Sequence, residues 1–285
     1  MRWHVMGGVR HRREAGLGLI LFVSLALWFG PIEVHAQSCG LGNWSQLSDL
    51  DNSFTGVQGP ANRRYGGPCG LRVPLDGVPR FVTDHRPDRE SRYILRFYAF
   101  LGSADTADPV RIYAAGDGVD DLIEIWLNEP SAGELTLRVL DAEQSLHDLT
   151  FPNAPARWNS IEFVWEAAVS AEIRFALNSD DPTEDLVATI NTSGQRLFNA
   201  SLGNLNGASG GAIDFDAYDS RRASRPGRLL TGDADDDWAI NVADIIAIAD
   251  EIDSLGFAPG QPDCDEDGEI EAADVACIVA ILDNQ

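Results

Sequence analysis

Asp233-Ala-Asp-Asp-Asp-Trp-Ala-Ile-Asn-Val-Ala-Asp244 and Asp263-Cys-Asp-Glu-Asp-Gly-Glu-Ile-Glu-Ala-Ala-Asp274 are one pattern written twice. Carboxylates stand at positions one, three and five, Ile240 or Ile270 at position eight, and an Asp at position twelve. So many carboxylates in one short loop repel one another unless a cation sits among them. A hard cation such as Ca²⁺ asks for six to eight oxygens, and a loop of about twelve residues with this spacing supplies them. Positions one, three and five turn inward, position seven (Ala239, Glu269) offers a carbonyl, and position nine (Asn241, Glu271) reaches the ion directly or through water. The alternative is a solvated acidic run without a metal, which is what most charge runs are. Against that stand the repetition, the apolar eighth position and the apolar segment after each loop.

The loops differ at position six, where the chain turns sharply. Gly268 fills it in the second loop and Trp238 in the first. A bulky residue at positive φ is strained, so the first site is expected to be the weaker. Beyond each loop the spacing predicts a helix. Ile245, Ile246, Ile248, Ala249, Ile252 and Leu255 form one apolar stripe, and Val275, Ile278, Val279, Ile281 and Leu282 the other. The two are expected to pack antiparallel, with Ile240 and Ile270 bridging the loops.

This stretch, residues 231–282, resembles the type I dockerin module, which has two calcium loop–helix repeats with Asp at position twelve. The resemblance implies Ca²⁺ at two sites. Its ligands would be Asp233, Asp235, Asp237, Asn241 and Asp244, then Asp263, Asp265, Asp267, Glu271 and Asp274. It also implies a docking role with a cohesin-like or other protein partner. Positions ten and eleven, Ser-Thr-like in that family, are Val242-Ala243 and Ala272-Ala273 here, and Asp250-Glu251 replaces the usual basic pair.

The chain opens with Arg2, Arg10, Arg12 and Arg13, an apolar stretch from Leu17 to Phe29, and Val34-His35-Ala36 before Gln37. That is the form of a secretory signal over residues 1–36, with an apolar run shorter than the ~20 residues of a membrane span. The expected location is extracellular or periplasmic, where disulfides persist. The four cysteines, Cys39, Cys69, Cys264 and Cys277, allow three pairings. The local one joins Cys39 to Cys69 and Cys264 to Cys277. No CxxC spacing points to a thiolate metal site.

The net charge is −24, and every one of the 21 basic residues is Arg. None lies beyond Arg228. Nucleic acid is excluded as a partner, because phosphate binding needs a basic surface.

Residues 37–219 read as one β domain. Strand patterns recur at Ser91–Leu101, Pro109–Ala114, Leu122–Asn128, Glu134–Leu140, Trp158–Glu166, Ala171–Leu177 and Gly211–Tyr218. Leu135, Leu137 and Val139 alternate with Thr136 and Arg138, and Ile161, Phe163 and Trp165 with polar neighbours. Short alternating strands split by Gly, Pro, Asn and Asp indicate an antiparallel sandwich. Residues 220–230, rich in Arg, Ser, Pro and Gly, read as a linker to the module at 231–285. The expected fold class is therefore mostly β, an antiparallel jelly-roll sandwich followed by a small α-helical pair of calcium loop–helix motifs.

Four passages carry a second resemblance. They are Ser91-Arg-Tyr-Ile-Leu-Arg-Phe-Tyr-Ala-Phe, Arg157-Trp-Asn-Ser-Ile-Glu-Phe-Val-Trp, Ser201-Leu-Gly-Asn and Gly211-Ala-Ile-Asp-Phe-Asp-Ala-Tyr. Their order is similar to that of a concanavalin A-like, laminin-G-type jelly roll, which implies a lectin-like domain and a glycan ligand. Glu124-Ile-Trp-Leu-Asn-Glu129 resembles the carboxylate strand of jelly-roll glucanases, but Trp126 occupies the place of the middle Asp. An incomplete constellation assigns no catalytic residue. The alternative to a non-catalytic binding protein is a polysaccharide-degrading glycoside hydrolase, or its accessory subunit, anchored through the calcium module. His85 and His147 lack a nucleophile nearby. Tyr98, Trp126, Trp158 and Trp165 are candidates for stacking on sugar rings or for the core. Asp214, Asp216 and Asp219 could hold a structural ion, although alternation places Asp214 and Asp216 on a solvent face.

Overall fold

The computed structural model describes residues 41–47, 55–57 and 63–284. The expected signal segment and Cys39 lie outside the described residues. Among the described residues, fourteen strands precede two helices. They are β1 (Gln46–Leu47), β2 (Thr55–Val57), β3 (Gly70–Asp76), β4 (Arg80–Asp84), β5 (Arg92–Phe100), β6 (Val110–Gly116) and β7 (Asp121–Leu127). Then come β8 (Leu135–Leu140), β9 (Leu146–Phe151), β10 (Trp158–Glu166), β11 (Ala171–Leu177), β12 (Leu186–Ile190), β13 (Asn199–Asn204) and β14 (Ser209–Arg221). The helices are α1 (Val242–Ile252) and α2 (Ala272–Leu282).

The strands form two sheets, β1-β4-β13-β6-β7-β8-β9 and β12-β11-β10-β5-β14-β3-β2. Every pairing is antiparallel. The alternation read from the sequence sets which side chains go between them. Ile123, Ile125 and Leu127 of β7, Leu135, Leu137 and Val139 of β8, and Ile161, Phe163 and Trp165 of β10 all enter the shared core. Phe97 of β5 stacks on Tyr113 of β6 at 6.0 Å, and Tyr113 meets Phe163 at 5.6 Å, so aromatic rings tie one sheet to the other. Each such side chain contributes roughly 1.5–3 kcal/mol by leaving water. The fold is the expected antiparallel β-sandwich with a small helical end.

The middle of the second sheet, β5 and β10, is buried on both faces. On its outward side Tyr98, Trp158, Arg96, Glu162 and Asp214 are also buried. A third layer covers them, made of residues 63–70, residues 222–230 and the C-terminal module. Tyr65 stacks on Tyr98 with ring centroids 3.6 Å apart and meets Trp158 edge-on at 5.6 Å. This explains two departures from the sequence reading. Asp214 and Asp216 do face outward, but Asp214 is buried against Arg72, and Asp216 accepts the amides of Tyr65 and Gly66. The segment expected as a linker begins inside β14 and is then held down. Gly227 N donates to Glu162 Oε2 at 3.1 Å, Arg228 N to Asp180 Oδ1 at 2.8 Å, and Leu229 N to the Tyr98 hydroxyl at 2.8 Å.

In the module, Asp244 and Asp274 open the helices. Each sits at the third helical position and accepts the amide of Asn241 or Glu271, at 2.8 and 2.7 Å, as in a capping box. Ile248 and Ile278 form the centre of a small core, with Ile240 and Ile270 packed against it. The predicted stripe on α1 is rotated, however. Its buried face is Asp244, Ile248 and Glu251, while Ile246, Ala249 and Ile252 are exposed, as is Leu255 beyond the end of the helix. The cause is Glu251, which is drawn inward to a buried pair with Arg64, both side chains 1% exposed. Cys264 and Cys277 are disulfide-bonded with Cα atoms 5.9 Å apart, and Cys69 is disulfide-bonded too.

Candidate metal centres and the free sandwich face

Each loop gathers three carboxylates whose oxygens lie within 4.8 Å of one another: Asp233, Asp235 and Asp244 in the first, Asp263, Asp265 and Asp267 in the second. These are the only such groups among the described residues. Backbone amides shape the cages. Asp233 accepts from Asp237 N and Trp238 N, and Asp244 from Ala234 N and Asp235 N. In the second loop Gly268 N donates to Asp263 Oδ2 at 2.8 Å.

The remaining expected ligands sit at the edge of each cluster. Asp237 accepts from Ala239 N, and Asn241 caps α1 through Ala243 N. Asp274 accepts from Glu271 N and, at 3.4 Å, from Asp265 N. Glu271 precedes α2 and is exposed.

Two observations test whether these residues suit a cation. Asp235 Oδ1 and Asp263 Oδ1 are buried without a hydrogen-bond partner. An orphaned buried carboxylate oxygen is costly unless a proton or a cation meets it. The electrostatics agree. Burial, then the charges of Asp274, Asp267 and Asp265, push the Asp263 carboxyl up to about 8. Burial likewise lifts Asp274 to about 6 and raises Asp233 and Asp235. An all-oxygen donor set of this kind fits a hard divalent ion such as Ca²⁺.

Position six behaves as the sequence required. Gly268 has φ 91° and Trp238 φ 68°. A Cβ on Gly268 would lie 2.5 Å from the Phe100 ring, so the second loop is pressed onto the sandwich where only glycine fits. The first loop has no such contact, and Trp238 is 76% exposed.

Sequence reasoning missed the residues that seat the module. Glu266 accepts from Tyr65 Oη at 2.8 Å and Arg228 Nη2 at 2.6 Å, and its carbonyl receives Trp158 N at 3.1 Å. Arg64 bonds both carboxylate oxygens of Glu251, and Oε2 also takes Ala258 N at 2.9 Å. Glu251 carried one signal, a charge spaced three and seven residues from Ile248 and Asp244 on the inward face. The arginines at 63 and 64 carried none.

With the second sheet covered, the first sheet keeps an open outer face. There Trp126 lies between Arg111 and Arg138, each guanidinium 5.9 Å from its ring. Its indole N–H donates to Glu124 Oε2 at 2.9 Å, and Glu124 also pairs with Arg111 at 2.6 Å. Glu129 pairs instead with Arg138. The two carboxylates are thus spent on different arginines. His85 bonds Gln46 and His147 bonds Asp141. Asp214, Asp216 and Asp219 diverge to Arg72, to backbone amides and to Arg221. Tyr98, Trp158 and Trp165 are fully buried, so Trp126 is the one of the four aromatic candidates left partly open.

No protein-family model matches the chain, and no curated protein does. Among solved structures it is similar to an endo-β-1,4-glucuronan lyase from the fungus Trichoderma reesei. The identity is 14% and the TM-score 0.48, over 65% of this chain and 94% of that one. It is also similar to an alginate lyase in complex with dimannuronate (10%, TM-score 0.38, 54% and 76%). A third is a botulinum neurotoxin serotype D ligand-binding domain in complex with N-acetylneuraminic acid (9%, TM-score 0.44, 63% and 43%). The chain spans less than half of that last domain. These are likenesses of β-sandwich architecture, and the functional reading rests on this chain's own residues.

Proposed function

We propose that this is a secreted, calcium-ordered carbohydrate-binding protein without catalytic activity, with a dockerin-like C-terminal module. The observation that carries the reading is the repeated cage with a buried, unpartnered carboxylate oxygen in each copy. Asp233, Asp235, Asp237, Asn241 and Asp244 would hold one ion, and Asp263, Asp265, Asp267, Glu271 and Asp274 the other. The ion supplies the positive charge that lets these carboxylates stay ionised side by side. The chain's own residues do the rest. Amides of Asp237, Trp238 and Gly268 aim the first-position carboxylates, while Asp244 and Asp274 fasten each loop to its helix. Binding the folded loops and not the open chain, calcium stabilises the module in proportion to its concentration.

Secretion is supported by the disulfides and by the signal-like opening. No helix among the described residues is long and apolar enough to cross a membrane. The docking role is supported by the exposed apolar residues Val242, Ile246, Ile252 and Val279 on the two helices. For the sandwich, the ligand face is the outer surface of the first sheet. Trp126 offers a ring for stacking, and Arg111, Arg138, Glu124 and Asp148 offer donors and acceptors around it. Calorimetric titration of residues 37–285 with Ca²⁺ tests the metal reading, with two ions per chain expected. A glycan array probed with the parent and Trp126→Ala tests the sandwich reading. The variant is expected to lose roughly tenfold in affinity, about 1.4 kcal/mol. Unchanged binding by Trp126→Ala would remove the first sheet from the account.

A further inference from the structure

The two repeats invite comparison at position four, which lies outside the ligand set. Asp236 and Glu266 occupy it with the same left-handed backbone, φ 61° and 62°. In the second loop this carboxylate is answered by the chain's own arginines. Glu266 Oε1 receives Arg228 Nη2 at 2.6 Å, and Arg157 Nη1 approaches its other oxygen at 4.0 Å. An aromatic ring lies alongside. Arg63 sits over Phe100 at 4.5 Å and pairs with Glu269 at 2.7 Å.

The first loop presents the same parts without the cation. Asp236 is exposed, and its carboxylate makes no hydrogen bond or ion pair among the described residues. Trp238, two residues on, replaces the borrowed ring. The two line a pocket of about 170 Å³ with Leu229, Leu230, Pro259 and Gly66. No arginine lines it. Leu229, Leu230, Pro259 and Trp238 form its apolar walls, Gln261 and the calcium-site carboxylate Asp233 also line it, its charged lining residues are both acidic, and the chain from Leu229 onward carries no basic residue. An anion or an acidic sugar is repelled there. A guanidinium on an aliphatic stem is complemented along its whole length, the stem by Leu229 and Pro259 and the head by Asp236 and the Trp238 face.

We propose that the Asp236–Trp238 pocket is a recognition site for an arginine side chain of a protein partner, the position that Arg228 fills for the second loop. The proposal deepens the docking reading and rests on it, with Asp236 and Trp238 lining one pocket.

The test follows the indole N–H resonance of Trp238, assigned with Trp238→Phe, in ¹⁵N-labelled residues 37–285. N-acetyl-arginine methylamide is titrated in millimolar Ca²⁺ and again in EDTA. The uncharged citrulline analogue and cellohexaose serve as comparison ligands. The expected result is a saturable shift with the arginine amide that added salt weakens, little or none with the other two, and loss of the shift in Asp236→Asn. Calcium titration of Asp236→Asn is expected to match the parent. Equal shifts with arginine and citrulline, a shift retained in Asp236→Asn, or no shift at all overturns the proposal. Movement with cellohexaose alone overturns it as well and makes the pocket a neutral-sugar site. Calcium heat without an arginine shift sinks this inference only. An arginine shift without calcium heat sinks the metal reading and leaves this one standing.

Discussion

Trp238 shows how one side chain can set two equivalent loops apart. It holds φ 68° where its counterpart Gly268 holds 91°, and a non-glycine residue there costs of order 1–3 kcal/mol. Trp238→Gly is therefore expected to raise the melting temperature, by about 1 kcal/mol of stability, and to tighten the first calcium site in a calorimetric titration. A lower melting temperature would show that the ring contributes more packing than its exposure suggests. Asp263 has the opposite character, a charge that burial penalises. Asp263→Asn is expected to melt above the parent in EDTA and below it in millimolar Ca²⁺, each by on the order of 1–3 kcal/mol. The pH dependence of stability is carried in part by Asp216. Burial lifts its carboxyl to about 6, above its unfolded value, so the folded chain holds this proton more tightly. Its contribution is fully present below about pH 4 and is lost as pH rises through 6. Urea melts across that window should show the parent weakening more than Asp216→Asn. At this scale the clustered carboxylates were legible because they recur at a fixed spacing in both loops. Glu266 and Arg64 were not, because a long-range pair leaves no periodic trace in either strand of sequence.

The elements were legible wherever one face meets water. β8 and β11 alternate, and their inward residues could be named from the sequence. β5 and β10 are buried on both faces, so their aromatic outward residues read as core without saying what covers them. β1, β2, β3, β4, β9 and β12 escaped notice because they are short, interrupted or at a sheet edge. Pro74 lies in β3 beside a register shift of β14, a place where a missing N–H is tolerated. α1 illustrates the limit of a hydrophobic stripe. Three apolar residues of the expected face point outward because one carboxylate, Glu251, points in. Arg64→Ala leaves that carboxylate buried without its partner and should cost about 3–5 kcal/mol by denaturant unfolding. The double replacement Arg64→Met with Glu251→Met should be milder than Arg64→Ala. If both cost the same, the pair itself is not what seats the helix.

Across the whole molecule the charge distribution gives the arrangement its sense. The acidic module has no cation of its own, and the sandwich with its trailing segment supplies Arg63, Arg64, Arg157 and Arg228 to it. One broad face of the sandwich is thereby closed and the other left open. Residues 37–285 make one compact unit. In Ca²⁺ the chain is accordingly expected to unfold in a single transition, and trypsin to spare Arg222, Arg225 and Arg228. Early cleavage there would mean that the module moves independently. Calcium ordering of the module is the proposal on which this reading stands, and differential scanning calorimetry of residues 37–285, in EDTA and in millimolar Ca²⁺, tests it most directly. The account predicts a melting temperature that climbs with calcium concentration and does not climb in a variant carrying Asp233→Asn and Asp263→Asn together. Superimposable melts in EDTA and calcium would contradict it.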